Sequence, residues 1–199
     1  MFRQGGGATG RAAPVSDVLK VVKLGGSLLS AGLLPTCLKR LAGFAGRIVV
    51  VPGGGMFADQ VRSAQQQYGF DDGNAHYMAV LAMQQMAYLI HAMDSRFRIM
   101  PRIDERCDER LQVWAPQIDE LDAAGIPAGW EVTSDSLSAW AARQLAADEL
   151  LLVKTCPVPQ TNLQTLQVLG ILDAAFSSFA ANAGCKISVI DSAGLSTLS

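Results

Sequence analysis

A chain of 199 residues, half of them hydrophobic and 17% charged, is long enough for one substantial core and too apolar for a disordered polymer. Its net charge of −2, from 16 basic and 18 acidic side chains, leaves no basic footprint for nucleic acid. The four cysteines, Cys37, Cys107, Cys156 and Cys185, form no CxxC or Cys/His cluster, which argues against a zinc site and for reduced thiols in a cytoplasmic protein.

Met1 to Ser16 is rich in glycine and alanine and lacks the apolar region of a signal peptide. It is expected to be a flexible tail ahead of a single domain over 17–199. Val18 to Leu24 is β-branched and apolar around two lysines and stops at Gly25-Gly26, which predicts a strand and a tight turn. Leu33 to Phe44 has helical spacing at Leu34, Leu38 and Leu41. Arg47 to Val51 is a continuous apolar run closed by Pro52 and three glycines, as a strand buried on both faces would be. A helix is expected over Met56 to Tyr68.

Asp71-Asp72-Gly73-Asn74 reads as a turn and helix cap. The long helix behind it has apolar positions at Met78, Leu81, Ala82, Met86, Leu89, Ile90 and Met93. Its most apolar stretch, Ala79 to Met93, is broken by Gln84, Gln85 and His91. It falls short of the ~20 residues a membrane span needs, so a soluble protein is expected. The stripe Met78, Met83, Met86 and Met93 reads as core packing, and His76 and His91 as structural or surface residues. Residues 97–130 yield one short strand, Leu111 to Trp114, in a loop-rich excursion. Thr133 to Ala147 is a helix, Glu149 to Lys154 a strand, Ala174 to Ala183 a helix and Lys186 to Ile190 a last strand. Strands alternating with helices imply an α/β fold with a mainly parallel sheet.

The chemistry concentrates at two glycine turns that each follow a buried strand, Gly25-Gly26-Ser27 and Gly53-Gly54-Gly55. In parallel sheets ligands bind beyond the carboxyl ends of strands. There glycine lets backbone N–H groups close on phosphate oxygens. The Walker pattern is absent. A formal GxGxxA (Gly53, Gly55, Ala58) leaves a dinucleotide-dependent oxidoreductase as a competing reading, although its acidic partners Asp71 and Asp72 sit on a turn and not at a strand end. Lys23, just before Gly25, and Lys154, ending a later strand, are candidate phosphate contacts. Thr133-Ser134-Asp135-Ser136 opens a helix. Besides capping it, Asp135 is placed to hold a lysine or to help anchor magnesium. Arg62, about two turns into the helix after Gly55, is a candidate for an anionic acceptor.

Together KLGGS (23–27), VVVPGGG (49–55) and TSDSLSAWAARQLAADELLLVK (133–154) resemble the amino acid kinase family over about residues 18–191. Within it, GGGMFADQVR (53–62) and WEVTSDS (130–136) are most similar to the aminomethylfuran-methyl phosphate kinases of methanofuran biosynthesis. The resemblance implies a three-layer αβα sandwich and ATP with Mg2+. It also implies a small anionic acceptor, such as a phosphate monoester, and a homodimer or larger assembly. Lys23, Gly25, Gly26 and Ser27 would hold the transferring phosphoryl group, with Lys154 on the ATP side. Gly53, Gly54, Gly55, Arg62, Thr133 and Ser134 would face the acceptor, and Asp135 would organise the lysines. No metal ligand is expected among the side chains. The sequence departs from the family after residue 154, where Thr155-Cys156-Pro157 replaces an Asp-Gly turn, and it has no late lysine in a glycine-rich loop. A non-catalytic nucleotide- or oxoanion-binding member of the same fold is the alternative.

Overall fold

The computed structural model describes residues 17–105 and 109–194. The expected tail over 1–16 and Cys107 lie outside the described residues. Six strands form one sheet: β1 (Leu19–Leu24), β2 (Arg47–Pro52), β3 (Arg98–Met100), β4 (Leu111–Trp114), β5 (Glu149–Lys154) and β6 (Lys186–Asp191). Their order is β3-β4-β2-β1-β5-β6, and every neighbouring pair is parallel. Parallel pairing requires crossovers, which eight helices accompany: α1 (Ser27–Ser30), α2 (Leu34–Gly43), α3 (Gly55–Tyr68), α4 (Asp72–Met93), α5 (Ile118–Ala123), α6 (Ser134–Gln144), α7 (Leu163–Val168) and α8 (Phe176–Ala180).

The continuous apolar runs of the central strands follow from burial on both faces. Val21, Val49, Val51, Leu150 and Leu152 pack with Leu137, Ala141 and Phe176 from α6 and α8. The alternate residues Val22, Leu24, Val50, Leu151 and Val153 pack with Leu34, Leu38 and Leu41 of α2. The result is the expected αβα sandwich, and the sheet, expected to be mainly parallel, is parallel at every described pair. The chain builds outward from β1 through β2 and returns to β5 on the other side. The switch in strand order therefore lies between β1 and β5.

Local signals account for most boundaries. Asp71 caps α4 by accepting from the Asn74 backbone N–H at 2.8 Å, and α3 ends at Gly69 with φ of 69°. Four elements escape sequence reading: β3, α1, α5 and α7, each six residues or fewer. The expected helix from Ala174 to Ala183 shortens to Phe176–Ala180. Its first residues are tied elsewhere, with the Ala175 N–H donated to the Glu131 carbonyl at 3.0 Å. The methionine stripe also divides: Met83 and Met86 are buried, whereas Met78 and Met93 are exposed. Among the described residues no helix is long and apolar enough to cross a membrane, and Cys37, Cys156 and Cys185 are free thiols.

Beyond the sheet the two glycine turns continue the pairing. The Gly25 N–H donates to the Val153 carbonyl at 3.2 Å and the Gly53 N–H to the Leu24 carbonyl at 2.8 Å. The turns touch backbone to backbone. A Cβ on Gly26 would lie 2.5 Å from the Gly55 Cα, and one on Gly53 would lie 2.7 Å from the Gly26 nitrogen. Gly26→Ala should therefore lower the unfolding free energy by about 2 kcal/mol in a urea titration. Gly43→Ala, whose Cβ meets open space at the end of α2, should leave it unchanged or slightly higher. Equal effects of the two substitutions would contradict this packing.

Candidate functional site

Register brings the first charged groups together. Lys23 on β1 pairs with Leu152 on β5. Lys154, two residues on, therefore emerges on the same face of the sheet. That face is covered by α6, whose first turn carries Asp135. The Asp135 carboxylate lies between the two lysines, with Oδ1 2.9 Å from Lys23 Nζ and Oδ2 2.7 Å from Lys154 Nζ. Lys23 is 5% exposed and Asp135 4%.

Burial alone would raise the Asp135 carboxyl, but the Lys23 and Lys154 ammoniums override it and hold the group below the ordinary carboxylate range. Lys154 is moved the other way. Desolvation first, then repulsion from Lys23, pull its ammonium down to about 8 against the support of Asp135. Two cations and one anion leave one positive charge at the ends of the central strands. That charge has no carboxylate to balance it within the array.

The N-terminus of α6 is built more elaborately than the sequence suggests. Thr133 is its N-cap, and its hydroxyl accepts from the Asp135 N–H at 3.4 Å. The stronger cap is Asp173, from the segment before α8. One carboxylate oxygen accepts from the Thr133 N–H at 2.9 Å, the Thr133 hydroxyl at 2.8 Å and the Ser136 N–H at 2.9 Å. The other accepts from the Ser136 hydroxyl at 2.5 Å. Asp173 thus sets the angle at which Asp135 enters the site. No local motif marks it, because its partners lie 37 and 40 residues away in sequence.

The glycine turns divide the site. On one side stand Gly25, Gly26 and the exposed Ser27, whose hydroxyl hydrogen-bonds the Thr155 hydroxyl at 2.9 Å just after Lys154. On the other a cavity of about 180 Å³ opens between Gly26, Gly53 and Gly54, the α6 start at Thr133 and Ser134, and the facing sides of α3 and α4. Gly55 adjoins it with φ of 53°, a left-handed conformation that favours glycine. Arg62 lies at its rim, its guanidinium carbon 3.7 Å from the centre of the Trp130 ring. Trp130 is fixed in turn by donating its Nε1–H to Gln65 at 2.7 Å. The structure thus gathers Lys23, Asp135 and Lys154 into one array, and sets Arg62, Thr133, Ser134, Gly53 and Gly54 around a neighbouring cavity.

His76, taken as structural or surface, is 5% exposed and lines this cavity. Its position four residues before Val80 and seven before Met83, both cavity-lining, was the available signal. Each Asp135 oxygen faces one ammonium, which favours the lysine-holding role expected for it. Among the described residues no group of three or more His, Cys, Asp or Glu side chains is arranged to hold a metal.

Comparison with known proteins bears on the whole arrangement. The chain is 28% identical over 144 residues to the (5-(aminomethyl)furan-3-yl)methyl phosphate kinase of Methanocaldococcus jannaschii. The match covers 67% of this chain and 64% of that protein, so the chain spans less than two thirds of its relative's length. Among solved structures, uridylate kinase from Archaeoglobus fulgidus superposes with a TM-score of 0.66 at 17% identity, covering 86% of this chain and 89% of that one. UMP kinase from Bacillus anthracis gives 0.64 at 13%, covering 88% and 87%. Both share the fold. The model of the amino acid kinase family matches residues 19–157, from β1 through the array's last lysine, and the chain belongs to that family.

Proposed function

We propose that this protein is an ATP-dependent kinase that phosphorylates a small phosphate monoester, with aminomethylfuran-methyl phosphate as acceptor. The reading is carried by the Lys23–Asp135–Lys154 array, a buried site of net positive charge beneath two touching glycine turns. An oxygen of the acceptor phosphate attacks the γ-phosphorus of ATP. The bond from that phosphorus to the bridging oxygen breaks, and ADP leaves with the electron pair, giving a diphosphate. A phosphate acceptor needs no base to deprotonate it, so positioning and charge neutralisation carry the rate.

In this reading Lys23 and Lys154 neutralise the transferring group and Asp135 keeps both in place. Gly25, Gly26 and Ser27 cradle the ATP phosphates, while Gly53, Gly54, Gly55, Thr133, Ser134 and Arg62 hold the acceptor. Lys154 supplies from β5 the second cation that longer family members carry on a late loop. Mg2+ would arrive with ATP and supply charge neutralisation between phosphate oxygens. The methanofuran-related relative and the cavity support this acceptor. About 180 Å³ is small beside the 300–1,000 Å³ of drug-sized sites. It also offers a cation at the rim and an aromatic wall. Action in the cytoplasm, as expected from the sequence, belongs to the same proposal.

The direct test is Mg-ATP turnover by the purified protein with and without the furan phosphate, with UMP, acetylglutamate and carbamate as comparisons. ADP release should require the furan phosphate, and Lys23→Ala should lower kcat on the order of a hundredfold or more. Turnover with a different acceptor would overturn the substrate. Tight ATP binding with no acceptor-dependent turnover would establish the non-catalytic alternative.

The depressed Lys154 gives a pH signature. The ammonium is charged below about 8 and neutral above it, so kcat/KM for ATP should fall on a basic limb near that pH. Lys154→Arg keeps its charge and should move the limb upward. A limb that stays in place would assign it to another group.

The homo-oligomer belongs to the same proposal. Met78, Leu81 and Tyr88 of α4 are 40%, 45% and 62% exposed, and their spacing of three and seven residues makes one apolar stripe. Light scattering on the eluting protein should give at least twice the chain mass, and Leu81→Lys should shift it toward the monomer. A monomeric wild type would remove this part of the reading.

A further inference from the structure

We propose that His76 is a specificity-determining residue of the acceptor cavity, and that its Nε2 accepts a hydrogen bond from an amine or hydroxyl at the end of the acceptor remote from its phosphate. The inference rests on the kinase reading for the orientation of the acceptor and on the following geometry for the residue.

His76 is buried in the second turn of α4, and its Nδ1 lies 3.2 Å from the Gly129 carbonyl oxygen. A carbonyl only accepts, so Nδ1 carries the proton. In the neutral ring Nε2 is then a bare acceptor. It meets no hydrogen-bond partner among the described residues, although the residue lines the cavity. Nε2 is open to the cavity, where a water or a ligand can complete it.

The rest of α4 gives the direction. A Cβ on Gly54 would lie 3.2 Å from Ala82, so the helix passes the glycine turns at that level. His76 is six residues earlier, about 9 Å along the axis at 1.5 Å per residue. Between them the wall is Ala79, Val80 and Met83, with Leu137 opposite. The cavity therefore has the glycine turns at one end, an apolar middle, and the His76 acceptor at the other, with Arg62 and Trp130 at the rim. The complementary ligand is a small phosphate ester with an apolar body and a donor group at its far end.

The sequence contains two histidines, so 15N-histidine spectra of the whole chain resolve both rings, with His76→Asn giving the assignment. In the free protein the His76 Nε2 signal should fall in the unprotonated range. It should move when the furan phosphate is added and stay when the aminomethyl group is replaced by methyl. A hydroxymethyl analogue distinguishes a hydroxyl donor from an ammonium.

In parallel, the wild type should prefer the amine acceptor over the methyl analogue by about tenfold in kcat/KM, as loss of a hydrogen bond to a charged donor predicts. That preference should collapse in His76→Asn, whose amide nitrogen still reaches the Gly129 carbonyl. An amine-specific Nε2 response without turnover would sustain the role of His76 and remove the kinase reading. Turnover with no preference between the two acceptors, a protonated Nε2, or an equal response to both compounds would overturn the role of His76. The wild-type preference and spectra decide the matter even if the variant fails to fold.

Discussion

Two lysine ammoniums held within hydrogen-bonding distance of one buried carboxylate set the terms for everything around them. Removing Lys23, Asp135 and Lys154 from water is costly, and their mutual attraction offsets that cost only if the geometry is held closely. Three elements must therefore meet with little tolerance: the end of β1, the end of β5 and the first turn of α6. The parallel pairing of β1 with β5 fixes the two lysines on one face. The Asp173 carboxylate, which accepts four hydrogen bonds at the start of α6, fixes the aspartate. The array is thus a demand on the fold as much as a product of it. The positive charge it leaves over is the part of the arrangement that a phosphate would complete.

The two glycine turns convert that charge into a divided site. Because the turns meet backbone to backbone, the space on the Gly25 side and the cavity on the Gly53 side are separated by little more than the thickness of a peptide. Two phosphates bound on either side would be brought close without any side chain between them. That is the geometric condition for in-line transfer. The asymmetry of the surroundings is equally informative. The Gly25 side carries the Ser27 and Thr155 hydroxyls, whereas the Gly53 side is mostly apolar, with Arg62 at its rim and His76 in its wall.

How much of this the sequence disclosed depended on whether the signal was local. The central strands were legible because burial on both faces forces an unbroken apolar run, as in Arg47 to Val51. The helix starts at Asp71 and Thr133 were legible because capping chemistry sits within three residues of the helix. The glycine turns and Lys23 were legible because each turn is a run of adjacent residues directly after an apolar strand. By contrast β3 is three residues long and held only by register with β4, too short for any periodicity. Asp173 was invisible because its meaning lies entirely in partners far along the chain. The place of His76 beside a cavity was not legible, because the cavity's other walls come from distant parts of the chain.

The contact between Gly26 and Gly53–Gly55 has a consequence for how this protein can change over time. The backbone of Gly55 occupies the volume that a side chain on Gly26 would need, and the backbone of Gly26 the volume that one on Gly53 would need. Neither position can acquire a Cβ without displacing the other turn, which locks the pair under neutral substitution. Divergence in the cavity wall is then channelled to positions outside the lock, along α3, α4 and the segment leading into α6. A library aimed at reshaping the cavity would find its tolerated diversity there, and would find Gly26 and Gly53 closed to it.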